Sequence, residues 1–153
     1  MSIHLRALRF PALALAVAAA ALLFSAGDLG SNDAAAHEGG TEGCTPGYWK
    51  QEQHFDSWPA PYDPDDAFSD HFEDVFPGMT MLEVLQQGGG GLNALGRHMV
   101  AALLNSAHPG IDYSFVEVEV FAWFDNTVPN TKDYYNFVKD MFEDENQLGC
   151  PLN

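Results

Sequence analysis

An aromatic cluster is the first feature of this 153-residue chain that could bind a ligand. Five rings fall within fifteen positions, interleaved with Lys50 and His54: Tyr48, Trp49, Phe55, Trp58 and Tyr62. Flat apolar ring faces pair with the C–H groups of sugars, while polar groups at the ring tips fix orientation. The cluster therefore predicts an extracellular binding or cell-surface structural module that uses residues 48–62 against a glycan, a matrix component or a cell-surface protein. The alternative is structural, because a small domain needs such aromatic area for its core.

Histidines offer acid–base or metal chemistry at four positions after residue 44: His54, His71, His98 and His108. No pair has the i, i+4 spacing of a helical zinc site, so three-dimensional assembly would be needed. A metal-dependent extracellular hydrolase using His54, His71 and His98 is one alternative function. His98 shares a side of its predicted helix with small or polar residues, and we predict a ligand-binding role for it together with Arg97 and Asn105. The structural alternative is a hydrogen-bonded histidine at a helix contact.

Carboxylates are concentrated between residues 63 and 74, a segment that we call the acidic loop. Four of them are the predicted ligands if the loop binds calcium: Asp63, Asp65, Asp66 and Asp70. Hard cations prefer such oxygen ligands, but Ala67 and Phe68 break the EF-hand spacing. A solvated acidic surface is the favoured interpretation, with an irregular calcium-binding module as the alternative. No Gly-x-Ser-x-Gly or P-loop motif is present, so an enzymatic function is not favoured.

The elements that carry these residues are predicted to be helical. Capping residues and apolar spacing predict helices in five segments: 47–55, 66–76, 81–87, 92–107 and 131–148. Residues 115–124 alternate as a strand would, but Ser114 and Glu117 form a capping box and no second convincing strand is evident, so we predict a helix there too. The predicted fold class is mainly α, a compact small helical bundle with long ordered loops.

The N-terminal region is predicted to direct export. Two arginines precede an apolar stretch over residues 10–24, which indicates a signal peptide within residues 1–36, with cleavage near 27 or 36. The stretch is shorter than a spanning helix needs, so we expect no stable membrane span after its removal. Residues 37–43 are predicted to form a flexible leader, and 44–153 a single helical domain. We therefore expect a secreted, extracellular protein.

Cysteine placement and charge add two expectations. Cys44 and Cys150 flank the predicted domain, and an export signal places them where disulfides persist, so we predict a Cys44–Cys150 bridge. Six Lys and Arg residues against 22 Asp and Glu residues give a net charge of −16. So few basic side chains cannot build a phosphate-binding patch, which excludes nucleic acid as a partner.

The two ends of the predicted domain carry motifs that resemble a family of small secreted domains, mostly bacterial, known by sequence. Residues 44–50 read Cys-Thr-Pro-Gly-Tyr-Trp-Lys, and residues 149–152 read Gly-Cys-Pro-Leu. The similarity continues between them, including Ala-Leu-Gly-Arg-His at 94–98. The resemblance implies a secreted, disulfide-closed, mainly helical domain that occurs alone or attached to cell-surface proteins. It also implies a helix at 116–124, and it implies no activity.

Overall fold

The computed structural model describes residues 39–152, and within this range the chain is mainly helical. It forms five α-helices and two 3₁₀ helices, in the order α1 (Pro46–Trp49), 3₁₀ (Glu52–Ser57), 3₁₀ (Phe68–Asp70), α2 (Met81–Gln86), α3 (Leu92–Ala107), α4 (Glu117–Thr127) and α5 (Lys132–Asn146). The described residues contain two isolated β-bridges and no β-strand. The predicted mainly α fold class is therefore confirmed. The predicted signal peptide lies outside the described residues.

Helix α3 is the centre of the fold. Every residue from Ala94 to Asn105 except Arg97 is buried, and α1, α2, α4 and α5 all pack against this helix. A helix that is buried on nearly all sides is the core of its domain. It ends at Ala107, since Pro109 cannot continue the hydrogen-bond ladder. The predicted bounds of this helix are confirmed.

A disulfide closes the domain. Cys44 and Cys150 are bonded, with 4.4 Å between their Cα atoms and a sequence separation of 106. Beside the bridge, the backbone N–H of Gly43 donates to the carbonyl of Gly149 at 3.0 Å. The predicted pairing is confirmed. In the chain-entropy account, closing a loop of this size contributes about 4–5 kcal/mol of stability.

Two predicted helices are shorter in the structure. The helix expected over residues 47–55 stops at Trp49, because the indole N–H of Trp58 donates to the Trp49 carbonyl at 3.1 Å and replaces the next helical bond. In the segment 66–76 only the 3₁₀ turn at Phe68–Asp70 forms. The Asp66 side chain makes no cap there and instead accepts the backbone N–H of residue 63 at 2.9 Å.

Helix α4 confirms the helical prediction for residues 115–124 with a different start. The expected capping box of Ser114 and Glu117 does not form. Glu119 instead accepts the backbone N–H of Val116 at 3.1 Å, and the Ser114 hydroxyl donates to Glu145 of α5. The helix therefore begins at Glu117, two residues later than the beginning of the alternating pattern.

The segment before Cys44 contributes to the packing of the domain. The backbone N–H of Glu42 donates to the Asp112 carbonyl at 3.1 Å, and the Glu42 carboxylate accepts the Asp112 N–H at 2.8 Å. Residues 39–152 all belong to one compact unit. No helix among them is long and apolar enough to cross a membrane.

Candidate functional site

The predicted aromatic cluster lies mostly inside the core. Trp49 is fully buried, and Tyr48, Trp58 and Tyr62 each retain less than a tenth of their surface. The rings of Trp49 and Trp58 meet edge to face at 6.5 Å, which is a favourable arrangement for aromatic packing. These rings close one end of the helical core, and little of their area is available to stack on a ligand.

Asn105 holds this end of the core together through its side-chain amide. Its Oδ1 accepts the indole N–H of Trp49 and the backbone N–H of Cys44, each at 3.0 Å. Its Nδ2 donates to the Cys44 carbonyl at 2.9 Å and to Asn146 Oδ1 at 2.8 Å. Asn146 Oδ1 also accepts the hydroxyl of Tyr113, whose pKa is raised by burial. Asn105 is fully buried and has no polar atom left for a ligand.

His98 is 8% exposed and faces the charged side of α5. Its Nε2 lies 4.0 Å from Glu143 Oε1, and its buried Nδ1 has no hydrogen-bond partner in the described part of the chain. Burial lowers the pKa of His98 to about 4, and its neighbours act in both directions: Glu143 and Asp140 raise it, while Lys139 and Arg97 lower it. The imidazole is therefore neutral at pH 7.

The three histidines of the predicted metal site lie in separate environments. His54 stacks on Tyr48 with ring centroids 3.9 Å apart. His71 contacts Asp66 at 3.1 Å, and His98 lies beside Glu143. Among residues 39–152, no group of three or more His, Cys, Asp or Glu side chains is arranged to hold a metal ion. These histidines do not converge on one centre.

The carboxylates predicted to bind calcium have partners within the acidic loop. Asp63 Oδ1 accepts the backbone N–H of Asp65 at 2.9 Å, and Asp66 Oδ2 accepts that of Asp63 at 2.9 Å. Asp66 also contacts His71 at 3.1 Å. Asp70 is exposed. Two of the four carboxylates therefore stabilise turns of the loop.

The two predicted basic residues differ in role. Arg97 donates to the carbonyls of Gln87 and Gly89, at 2.7 and 3.0 Å. It thereby fixes the glycine-rich connection between α2 and α3. Lys50 is exposed at the C-terminal cap of α1. The contacts of these two side chains do not indicate a ligand-binding role for either of them.

A polar cleft of about 540 Å³, which we call the disulfide cleft, lies where the two ends of the domain meet. It is lined by nine residues: Gly43, Thr45, Gly47, Tyr48, Gln51, His54, Gln147, Gly149 and Cys150. None of these residues is Asp, Glu, Lys or Arg, although the chain carries a net charge of −16. The cleft therefore offers hydrogen-bonding groups and lacks carboxylate, ammonium and guanidinium side chains.

Short-range contacts hold the cleft side chains in place. Thr45 caps α1 by accepting the N–H of Tyr48 at 3.2 Å, which orients the ring that His54 covers. The Gln51 amide donates to the Gly47 carbonyl at 2.7 Å. Tyr48 is buried and His54 is half-buried, so the imidazole is the more accessible ring of the stacked pair. A preorganised imidazole face beside fixed amides suits a polar ligand.

Of the residues that line this cleft, Tyr48 and His54 are predicted from the sequence as ligand-binding residues, whereas Thr45, Gln51 and Gln147 are not. Gln147 lies far from the others in sequence and joins them because the disulfide brings the end of α5 to α1. The pairing of Cys44 with Cys150 was the signal that could have indicated this. Comparisons with protein families, curated proteins and solved structures found no match to the chain. The resemblance of residues 44–50 and 149–152 to a secreted family therefore stays a prediction.

Proposed function

We propose that this protein is a non-catalytic extracellular binding module that holds an uncharged polar ligand, such as a glycan, in the disulfide cleft. The observation that carries the proposal is a cleft lined by no Asp, Glu, Lys or Arg in a chain with a net charge of −16. The overall negative potential repels anions, and the lining offers a cation no carboxylate. With anions and cations both disfavoured, the cleft best suits a neutral ligand that forms hydrogen bonds.

The chemistry of the cleft walls supports a glycan in particular. The imidazole of His54 offers a flat face for sugar C–H groups. The amides of Gln51 and Gln147 already donate to the Gly47 carbonyl and to Glu143, and each has a second N–H that can donate to a hydroxyl. The cleft volume of about 540 Å³ lies within the usual range of small-molecule sites. The Cys44–Cys150 bridge supports an extracellular location, because disulfides persist in oxidising compartments.

Glycan-array screening of the oxidised protein, followed by titration calorimetry with the best ligand, tests the proposal. We expect His54→Ala and Gln51→Ala each to weaken binding by about tenfold, the effect of losing one ring face or one satisfied hydrogen bond. Gln86→Ala is the matched control, because Gln86 is exposed on α2 and does not line the cleft.

Equal melting temperatures of the three variants would show that the fold is retained. Affinity that is unchanged in both cleft variants would contradict the proposal, as would the absence of any glycan bound by the wild type. Trp49→Ala is not informative here, because Trp49 is fully buried and its removal would damage the core.

A further inference from the structure

A second concave site, of about 460 Å³, lies between α4 and the beginning of α5. We call it the aromatic groove, and it is lined by Glu119, Ala122, Trp123, Asn126 and Tyr134. It shares no residue with the disulfide cleft. Its chemistry also differs, since two aromatic side chains and one carboxylate dominate its walls.

The two aromatic side chains of the groove are accessible, unlike those of the aromatic cluster. Trp123 and Tyr134 are both half-buried, and within residues 39–152 neither the Trp123 indole N–H nor the Tyr134 hydroxyl donates a hydrogen bond to the protein. The other two indoles both donate, Trp49 at 3.0 Å and Trp58 at 3.1 Å. Trp123 is thus the tryptophan whose ring and N–H are open to an added molecule.

The charges at the groove favour a cation. Glu119 lines it, and its Oε2 is anchored by the backbone N–H of Val116 at 3.1 Å. No Lys or Arg is among the lining residues. Aromatic faces carry negative quadrupole potential and attract cations, and the charge of −16 attracts cations from a distance. The aromatic rings and the carboxylate therefore both favour a positively charged ligand.

We infer that the aromatic groove binds a small ligand bearing a quaternary ammonium group, of the choline type. A metal ion would need several oxygen ligands, and the groove supplies one carboxylate. A primary ammonium is strongly hydrated and seeks hydrogen-bond acceptors, whereas a quaternary ammonium donates none and gains from ring faces. Phe137, which does not line the groove, is 61% exposed and stacks on Tyr134 with ring centroids 6.2 Å apart, so it adds exposed aromatic surface beside that ring.

Nitrogen-15 NMR of the oxidised protein tests this inference, because the chain has three tryptophans and hence three indole N–H signals. Titration with choline should shift the Trp123 signal with a dissociation constant in the millimolar range and leave those of Trp49 and Trp58 in place. The neutral alcohol 3,3-dimethylbutanol has the same shape as choline but lacks its charge, so it should bind at least about tenfold more weakly than choline. Butylammonium and sodium at matched ionic strength should also bind more weakly.

Variants locate the site. We expect Trp123→Leu to weaken choline binding by about tenfold and Glu119→Gln by about fivefold. The titration of each variant is followed by the backbone amide signals of Ala122 and Tyr134. Glu119→Gln keeps an oxygen that can accept the Val116 N–H. Asp125→Asn removes the same charge from the exposed side of α4 without lining the groove, and it should change the affinity less than twofold.

Several results would overturn the inference. Choline could leave the Trp123 signal in place, or choline and dimethylbutanol could shift it equally. Butylammonium could bind more tightly than choline, or Glu119→Gln and Asp125→Asn could lose equal amounts of choline affinity. The third would indicate a site for primary amines, and the last would indicate only the bulk charge of the chain. Trp123→Phe keeps an aromatic face, so retention of part of the affinity in that variant supports the inference if Trp123→Leu fails to fold.

Discussion

Burial of the neutral imidazole of His98 should make the stability of the fold depend on pH. The pKa of His98 is about 4 in the folded protein, while an unfolded histidine has a pKa of about 6.5. Between these values the unfolded chain binds a proton that the folded protein does not. Acidification through this window therefore favours unfolding, and above pH 6.5 the contribution of His98 to stability is complete.

The magnitude follows from linkage. Stability falls by about 1.4 kcal/mol per pH unit inside the window, so acidification from pH 7.5 to 5 costs about 2 kcal/mol, and no further cost from His98 accrues below pH 4. Urea denaturation of the wild type and of His98→Leu at pH 7.5, 6.5, 5.5 and 5 measures this effect. Carboxylates titrate in both proteins, so the difference between the two curves reports His98.

An NMR titration of the His98 ring in the folded protein is the independent check. We expect the ring to be at least about nine-tenths neutral at and above pH 5, so its signals should change little there. A ring that titrates at 6.5 or above in the folded state would refute the reasoning, as would parallel losses of stability in the wild type and His98→Leu. The absolute stability of the variant is not the readout, because leucine also changes the packing of this buried position.

Three further predictions concern the fold and the acidic loop. Cys44→Ser/Cys150→Ser should lower the free energy of unfolding by about 4 kcal/mol without changing the far-ultraviolet spectrum, and equal melting curves would show that the bridge adds no stability. Gly96→Ala should cost about 1–3 kcal/mol, since its Cβ would lie 2.6 Å from an aromatic ring of the core. Gly88→Ala is the control and should stay within about 0.5 kcal/mol, because nothing lies within 4 Å of that Cβ. Calcium should raise the melting temperature no more than magnesium or sodium at equal ionic strength, because carboxylates of the acidic loop already accept backbone N–H groups. A rise with calcium alone would reveal a calcium site.

Local signals explain why much of the fold could be predicted from the sequence. The capping box of Thr80 and Glu83 sets the beginning of α2, and Pro109 follows the end of α3 closely. These signals act within one or two helical turns and need no knowledge of the rest of the molecule. The disulfide could be predicted because the chain has two cysteines, so only one intramolecular pairing exists.

The candidate site was less predictable because burial is decided by tertiary packing. Composition could not show that Trp49 faces Asn105 inside the core while Trp123 stays accessible, since the two indoles are chemically identical. Apolar spacing along α5 likewise does not distinguish Val138, which is fully buried, from its neighbour Phe137, which is 61% exposed. The helix contacts α3 with one stripe, and only the packed structure shows which one.

The position of the disulfide has a mechanical consequence. The bridge joins the point where the chain enters the helical domain to the point where it leaves, beside the pairing of Gly43 with Gly149. Tension applied to the segments outside the two cysteines passes through one covalent bond and leaves the five helices unloaded. Under reducing conditions the bond between the two cysteines is broken, so the same tension would act on α1 and α5 and separate them from α3. The oxidised domain should therefore not lengthen under such a load.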